Sequence, residues 1–184
     1  MSRGLCGTVC ADVRPAWRGA VPIVRPAHRS DLGQLLALYN HYVRYSNATF
    51  DTGPVSLENR VAWFETFAEV GPHRLLVAAD GDAVLGCASS SSYRNHPAFA
   101  RTVEVGIYID PECRMRGIGS ELYGALFEQL RSEPVHLAVA AIALPNDASL
   151  ALHRKFDFVE VGVFEEYARK GRAHISSMWM QRRI

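Results

Sequence analysis

Hydrophobic positions along the chain repeat with two periods, and the change from one period to the other marks the predicted elements. From Thr102 to Ile109 apolar and polar residues alternate strictly, which is typical of a strand with one buried face. Apolar residues recur at helical spacing from Leu32 to Val43, behind a cap predicted at Ser30, and a second helix runs from Ser56 to Gly71. The other predicted strands are 23–25, 75–79, 83–93, 135–142, 158–164 and 175–180, and the other predicted helices are 118–130 and 146–155.

The connections between these elements predict how the chain folds. Asp80-Gly81-Asp82 is a strong hairpin signal, and the continuous apolar run 135–142 is typical of a strand covered on both faces. The charged segment 165–172 is predicted to join the last two strands. The resulting order, β-α-α-β-β-β-α-β-α-β-β, predicts a mixed sheet with helices packed against it, an α+β or α/β fold.

Composition narrows the class of protein. A chain of 184 residues with 48% hydrophobic residues can bury one sizeable core, so we expect a single domain over 21–184 behind a flexible tail at 1–20. A net charge of +1 argues against nucleic acid or an anionic membrane as partner, and no apolar run approaches the roughly 20 residues of a membrane span. Four cysteines are too few for a disulfide framework, and Cys6-x-x-x-Cys10 lacks the second pair of a zinc site. We expect a reduced, cytoplasmic protein without a metal.

The turn after the alternating strand is the strongest candidate for a binding site. Arg114 and Arg116 flank two glycines, Gly117 and Gly119, at the start of a helix whose first amides lack acceptors, and this arrangement suits phosphate. The alternative is an arginine-bearing turn whose glycines serve close packing. A dinucleotide fingerprint is excluded because the next glycine, Gly124, comes five residues later, and no lysine completes a P-loop.

The spacing Arg114-x-x-Gly117-x-Gly119 resembles the pyrophosphate loop of the GNAT acetyltransferases, and the predicted element order is also theirs. The resemblance narrows to the phosphinothricin and methionine sulfoximine/sulfone acetyltransferase branch and covers the chain from about Ile23 to Gln181. The segments that carry it are Leu38-Tyr39-Asn40-His41, Glu58 to Phe64, Thr102-Val103-Glu104, Ile107-Tyr108-Ile109, Pro145 to Ser149, and His153.

This resemblance implies a mostly antiparallel mixed sheet with helices on both faces, and acetyl-CoA as co-substrate. It also implies three sets of contacts with that molecule. The backbone would pair with the pantetheine arm, the glycine loop would wrap the diphosphate, and one side chain would hold the pantetheine or the departing sulfur. The residues so assigned are Ile107, Tyr108 and Ile109 for the arm, Arg114, Met115, Arg116, Gly117, Ile118, Gly119 and Ser120 for the diphosphate, and Asn146 for the sulfur end.

The implied reaction is direct transfer of acetyl to the primary amine of a small amino acid, with Glu104 as general base. A strand rising about 3.3 Å per residue places Glu104 about 16 Å back from Ile109, a distance that an extended pantetheine arm can span. The alternative for Glu104 is a strand glutamate that faces solvent or pairs with an arginine. His153 stands where many GNAT enzymes have a tyrosine, so it is a candidate acid for the leaving thiolate; packing or capping of its helix is the alternative.

The acceptor side departs from the pattern of the branch. Arg94 falls where the family places a substrate-loop arginine that would bind an α-carboxylate, with Pro97, Ala98 and Phe99 around the side chain. The aromatic-Arg-aromatic triplet of the branch is replaced by Phe99-Ala100-Arg101, and its Gly-x-Trp-x-Asp by residues 171–175. A protein N-terminus or another amine therefore stays open as acceptor, as does a non-catalytic acetyl-CoA-binding module. A homodimer is implied by the resemblance alone.

Overall fold

One mixed sheet runs through the computed structural model, which describes residues 22–113 and 117–184. The strand order across the sheet is β1-β2-β3-β4-β5-β7-β6, and among these described strands β4 and β5 are the one parallel pair. The strands are β1 Ile23–Pro26, β2 Arg74–Asp80, β3 Ala83–Ser92, β4 Thr102–Ile109, β5 Leu137–Ala143, β6 Val159–Lys170 and β7 Ala173–Arg183. The helices are α1 Leu32–Tyr45, α2 Leu57–Phe64, α3 Ile118–Leu130 and α4 Asp147–Lys155. The mixed, mostly antiparallel sheet of the prediction is thereby confirmed.

The helices cover both faces of the sheet, also as predicted. One core lies between α3, α4 and one face, where Leu122, Leu126 and Leu130 of α3 are completely buried. The second core lies on the other face, where Leu35 and Leu38 of α1 pack with Val77 of β2. Because successive strand residues point to opposite faces, β4 contributes its odd-numbered side chains to the first core and its even-numbered ones to the α1 side.

Short-range signals in the sequence are confirmed where one turn or cap decides the structure. The β2–β3 hairpin turns at Gly81, whose φ of 58° lies in the left-handed region that glycine adopts without strain. The Ser56 hydroxyl accepts the Asn59 amide at 3.1 Å and caps α2.

Three predicted boundaries are wrong. Helix α1 begins after a 3-10 turn, and its cap position is held by Asp31, whose carboxylate binds Arg25 and the His28 amide, rather than by Ser30. Helix α2 ends at Phe64, well short of Gly71. Residues 165–170 of the predicted charged connection extend β6, and β7 begins at Ala173, so that only a short turn at Gly171 joins the two strands. The predicted tail, residues 1–20, lies outside the described residues.

The pairing of β4 with β5 ends early and leaves an opening in the sheet. The two strands pair only from Thr102 with Leu137 to Glu104 with Val139. Beyond that point they diverge around a cavity of about 70 Å³. We call this opening the fork; it is bounded by residues 105–108 of β4 and 140–143 of β5.

Candidate active site

The fork exposes backbone groups of β4 that have no partner strand. The Asp110 amide donates to the Leu85 carbonyl of β3 at 2.8 Å, so the even-numbered residues of β4 direct their amides and carbonyls to β3. Those of Val105 and Ile107 consequently point into the fork. The Ile109 carbonyl points the same way and accepts the Tyr42 hydroxyl at 2.6 Å. An extended ligand with amide groups can hydrogen-bond to this edge as an additional strand would.

The glycine turn lies at the start of α3, beside the outer end of the fork. Gly117 adopts a φ of 79° and caps the helix, and the Ser120 and Glu121 amides both bond back to its carbonyl. The Ile118 and Gly119 amides precede any acceptor within the helix, and no backbone acceptor among the described residues engages them, so they suit an anion. The Ser120 hydroxyl lies 2.8 Å from Lys155 Nζ, so a second element brings a cation to this turn. Arg114, Met115 and Arg116 lie outside the described residues.

A cleft of about 590 Å³ connects the glycine turn to the fork. Gly117, Ile118 and Gly119 line one end, and Asn146 and Ile107 line the other. Asn146 caps α4 as the sequence predicts, since its Oδ1 accepts the Ser149 amide at 3.2 Å. Six of the eight described residues that the sequence assigned to the cofactor line this cleft, whereas Tyr108 and Ser120 do not.

Glu104 lies at the last paired position of β4, where the fork begins. It is half-buried, and desolvation raises the pKa of its carboxyl group. No hydrogen bond or ion pair engages the carboxylate within the described part of the chain, so pairing with an arginine, the alternative reading, is not observed there. A desolvated, unpaired carboxylate of raised pKa can accept a proton from an amine.

His153 lies on the opposite face of the sheet, under the fork. Its ring contacts the Ser149 carbonyl through Nδ1 at 2.7 Å and the Tyr123 hydroxyl through Nε2 at 2.9 Å. Burial lowers the pKa of the imidazole, although the bond to Ser149 opposes that shift. Both ring nitrogens are thus engaged inside the protein.

The predicted substrate loop forms a short 3-10 turn, Pro97–Phe99, and Arg94 lies on its aromatic neighbours. The guanidinium carbon is 5.0 Å from the ring centre of Tyr93 and 5.4 Å from that of Phe99. Pro97 and Ala98 are exposed beside it. Stacking of this kind orients a guanidinium while its N–H groups stay free for a carboxylate.

Sequence reasoning missed an aromatic cluster that extends from this loop across the sheet. Tyr93 contacts Trp179 of β7, and Trp179 in turn contacts Phe164, which stacks on Tyr167. The strand register places Trp179 on the same sheet face as Glu104. The contact between Tyr93 and Trp179 crosses β4 and β5, which a single sequence does not reveal. Lys155 and Tyr123 were missed for the same reason, because their partners lie on other elements.

The described residues contain neither a metal-binding cluster nor a helix that could cross a membrane. Residues 22–113 and 117–184 contain no group of three or more histidine, cysteine or acidic side chains arranged to hold a metal ion. No helix among them has the length and apolar character needed to cross a membrane.

Comparison with known proteins identifies relatives over most of the chain. A model of the acetyltransferase (GNAT) family matches residues 35–158. The chain is 46% identical over 161 residues to a phosphinothricin N-acetyltransferase of Streptomyces coelicolor, an alignment that covers 86% of this chain and 94% of that protein. It is 38% identical over 159 residues to the L-methionine sulfoximine/L-methionine sulfone acetyltransferase of Pseudomonas aeruginosa, covering 86% and 92% respectively.

A solved structure shares the fold at similar coverage. The phosphinothricin acetyltransferase of Sinorhizobium meliloti in complex with AcCoA superposes with a TM-score of 0.84 at 29% identity. The match covers 90% of this chain and 89% of that one.

Proposed function

Since this chain belongs to the GNAT acetyltransferase family and is an acetyl-CoA-dependent N-acetyltransferase, we propose that its acceptor is the primary amine of a small amino acid. The substrate class is that of phosphinothricin and methionine sulfoximine or sulfone, which the names of its relatives report for those proteins. The single observation that carries the proposal is the unpaired Glu104 carboxylate at the start of the fork, on the face that Arg94 and the aromatic cluster border.

Acetyl-CoA lies in the cleft that connects the glycine turn to the fork. Its diphosphate contacts the first amides of α3 and Lys155, and Arg114, Met115 and Arg116 complete that loop. The pantetheine arm bonds to the free backbone edge of β4 at Ile107. Asn146 holds the sulfur end, which places the thioester inside the fork.

Acetyl transfer is direct. Glu104 removes a proton from the substrate ammonium, and the free amine attacks the thioester carbonyl. The Ile107 amide, which points into the fork, stabilises the oxyanion of the tetrahedral intermediate. The carbon–sulfur bond then breaks, and the CoA thiolate takes one of the two protons that the ammonium loses while the other goes to solvent.

Arg94 selects for an amino acid by binding the α-carboxylate of the acceptor. The planar N–H groups of the guanidinium match the two oxygens of a carboxylate, and stacking on Tyr93 and Phe99 fixes the plane of the guanidinium. Pro97, Ala98 and Phe99 border the side chain of the substrate.

The active protein is a homodimer in this proposal, and β6 supplies the contact. This edge strand exposes apolar side chains along its length, with Val161 62% and Phe164 55% accessible in the monomer. An exposed apolar edge strand is a ready surface for association. Sedimentation equilibrium should give twice the mass of the 20.4 kDa chain, and a monomer at micromolar concentration would contradict this part of the proposal.

A reducing compartment, the cytoplasm, fits the thiols of the described chain. Cys87 and Cys113 are buried, and neither forms a disulfide within the described residues; burial raises the pKa of the Cys87 thiol to about 12. A thiol of that pKa is unreactive at neutral pH.

The test is an acetyl-CoA turnover assay across acceptors, read out by thiol release. Phosphinothricin, methionine sulfoximine and methionine sulfone are compared with other free amino acids, with decarboxylated analogues and with short peptides. We expect the highest kcat/KM for the first three. A higher kcat/KM for peptides would move the assignment to protein N-termini, and binding of acetyl-CoA without any turnover would leave only a binding module.

A further inference from the structure

Tyr123 and His153 form a completely buried polar pair that joins α3 to α4 beneath the fork. Tyr123 is 0% and His153 2% exposed, and the hydroxyl lies 2.9 Å from Nε2. The rings meet edge to face with their centres 5.2 Å apart. Both side chains line the fork cavity together with Asn146 and Ser149.

The hydrogen bonds of His153 determine where its proton lies. A backbone carbonyl can only accept, so the 2.7 Å contact with Ser149 requires the proton on Nδ1. Burial lowers the pKa of the ring, which keeps the imidazole neutral near pH 7 and leaves Nε2 as an acceptor for the Tyr123 hydroxyl. In this state His153 has no proton to offer a thiolate in the fork.

These contacts connect α3 to Asn146, which lines the acetyl-CoA cleft. Tyr123 lies on α3, the helix that begins at the glycine turn, and donates to His153 on α4. His153 donates to the carbonyl of Ser149, whose amide is bound by Asn146 Oδ1. The pair thus connects the element that starts at the diphosphate to the residue that holds the sulfur end.

We propose that Tyr123 and His153 are positioning residues that hold the first turn of α4 against α3 and so set the place of Asn146 relative to the glycine turn. This inference rests on the proposed acetyl-CoA site, and it replaces proton donation as the role of His153. A buried hydroxyl and imidazole are costly unless both are satisfied, and here each satisfies the other. Apolar side chains could pack the same space, but they would not fix the Ser149 carbonyl.

The test separates positioning from acid catalysis by steady-state kinetics at several pH values. Tyr123→Phe and His153→Gln are compared with His136→Gln, a matched control on an exposed histidine at the start of β5. Both test variants should raise KM for acetyl-CoA tenfold or more, change kcat less than threefold, and leave the pH profile of kcat in place. A hundredfold fall in kcat of His153→Gln with loss of one pH limb would show that His153 transfers a proton. Unchanged KM in both variants would show that the pair positions nothing.

A second measurement needs no ligand. The Ser149 and Leu150 amides are bound by the Asn146 side chain and carbonyl, so their hydrogen exchange in the free protein reports on the first turn of α4. Exchange should accelerate about tenfold in Tyr123→Phe and stay unchanged in the His136 control; equal rates would overturn the inference. If the single variant unfolds, the combination of Tyr123→Phe with His153→Leu removes both polar partners and should fold with the same faster exchange.

Failure of the proposed function would look different. Wild-type protein that binds no acetyl-CoA in calorimetry would contradict the proposed site, whereas the exchange rates would still decide whether the pair holds α4.

Discussion

The proposed cofactor side and the proposed acceptor side of the fork differ in the kind of chemical group that lines them. On the cofactor side, free backbone amides and carbonyls of β4 and α3 line the cleft, and buried helices hold them in place. On the proposed acceptor side the groups are exposed side chains, with Arg94 on its aromatic neighbours and β6 exposed along its length. Backbone groups are present whatever the sequence and suit a co-substrate that does not vary. Side chains differ between related proteins and can therefore adapt the site to different acceptors. In the proposed site, acetyl-CoA and the acceptor amine are thus recognised by different kinds of groups.

Substitution of Glu104, the proposed general base, should have the largest effect, because it should lower turnover without weakening acetyl-CoA binding. Glu104→Gln removes the proton acceptor but no group that contacts the cofactor, so turnover at neutral pH should fall by about 10² to 10⁴. Acetyl-CoA affinity measured by calorimetry should stay within about twofold. The exposed Glu69→Gln is the control and should match wild type in both. Wild-type turnover in the Glu104 variant would reduce this residue to a structural one.

The pH dependence of kcat/KM should also reveal the ionisation of Glu104. Because desolvation raises the pKa of Glu104, the active carboxylate is lost as pH falls through that raised value, earlier than for an exposed glutamate. Below it, kcat/KM for the amine should drop about tenfold per pH unit beyond the decline that the amine's own protonation causes. This additional limb should vanish in Glu104→Gln. A limb that persists in the variant would belong to another group.

A substitution at the glycine turn should affect only the cofactor side. A Cβ at Gly119 would lie 3.0 Å from Leu152 Cδ2 and would enter the cleft, so Gly119→Val should weaken acetyl-CoA binding more than tenfold, or about 1.4 kcal/mol. Gly124→Val in the same helix is the control, since a Cβ there meets no described atom within 4 Å beyond its own chain neighbours and the backbone of its helix. Equal affinity of a folded Gly119 variant in calorimetry would remove the cleft from the cofactor site.

The smallest expected effect concerns the acceptor alone. Arg94→Lys keeps the positive charge but loses the planar guanidinium and its paired N–H donors. KM for a free amino acid should therefore rise about fivefold more than KM for the same amine without its carboxylate. Arg101→Lys, an exposed arginine of the same loop, should change neither. If both substrates respond equally to the Arg94 substitution, Arg94 does not bind the α-carboxylate.

What could be predicted from the sequence follows the same division. The glycine turn, the β2–β3 hairpin and the Asn146 cap depend on residues within a few positions of one another, so local rules found them. The extension of β6 through residues 165–170 was not predicted, because these residues lack the apolar alternation of a half-buried strand; β6 lies at the sheet edge and most of its side chains are exposed.

The misses at the site have a related cause. Trp179 contacts Tyr93 across two intervening strands, and Tyr123 meets His153 from a helix 30 residues away in sequence. No periodicity links such pairs. The resemblance supplied His153 as a position, but only the packing of α3 against α4 shows which atoms its ring engages.

The fork also affects the thermodynamics of the folded state. An interior strand of a sheet normally hydrogen-bonds to a neighbouring strand on each side. Beyond Glu104, the edge of β4 that faces β5 has no partner strand among the described residues, so a ligand can hydrogen-bond to it instead. In the proposed complex, acetyl-CoA supplies part of the hydrogen bonding that a neighbouring strand would otherwise provide. At a free acetyl-CoA concentration one hundred times Kd, the native state gains about 2.7 kcal/mol over the unfolded chain. If the proposed site is correct, the melting temperature of the protein should therefore rise with the concentration of acetyl-CoA.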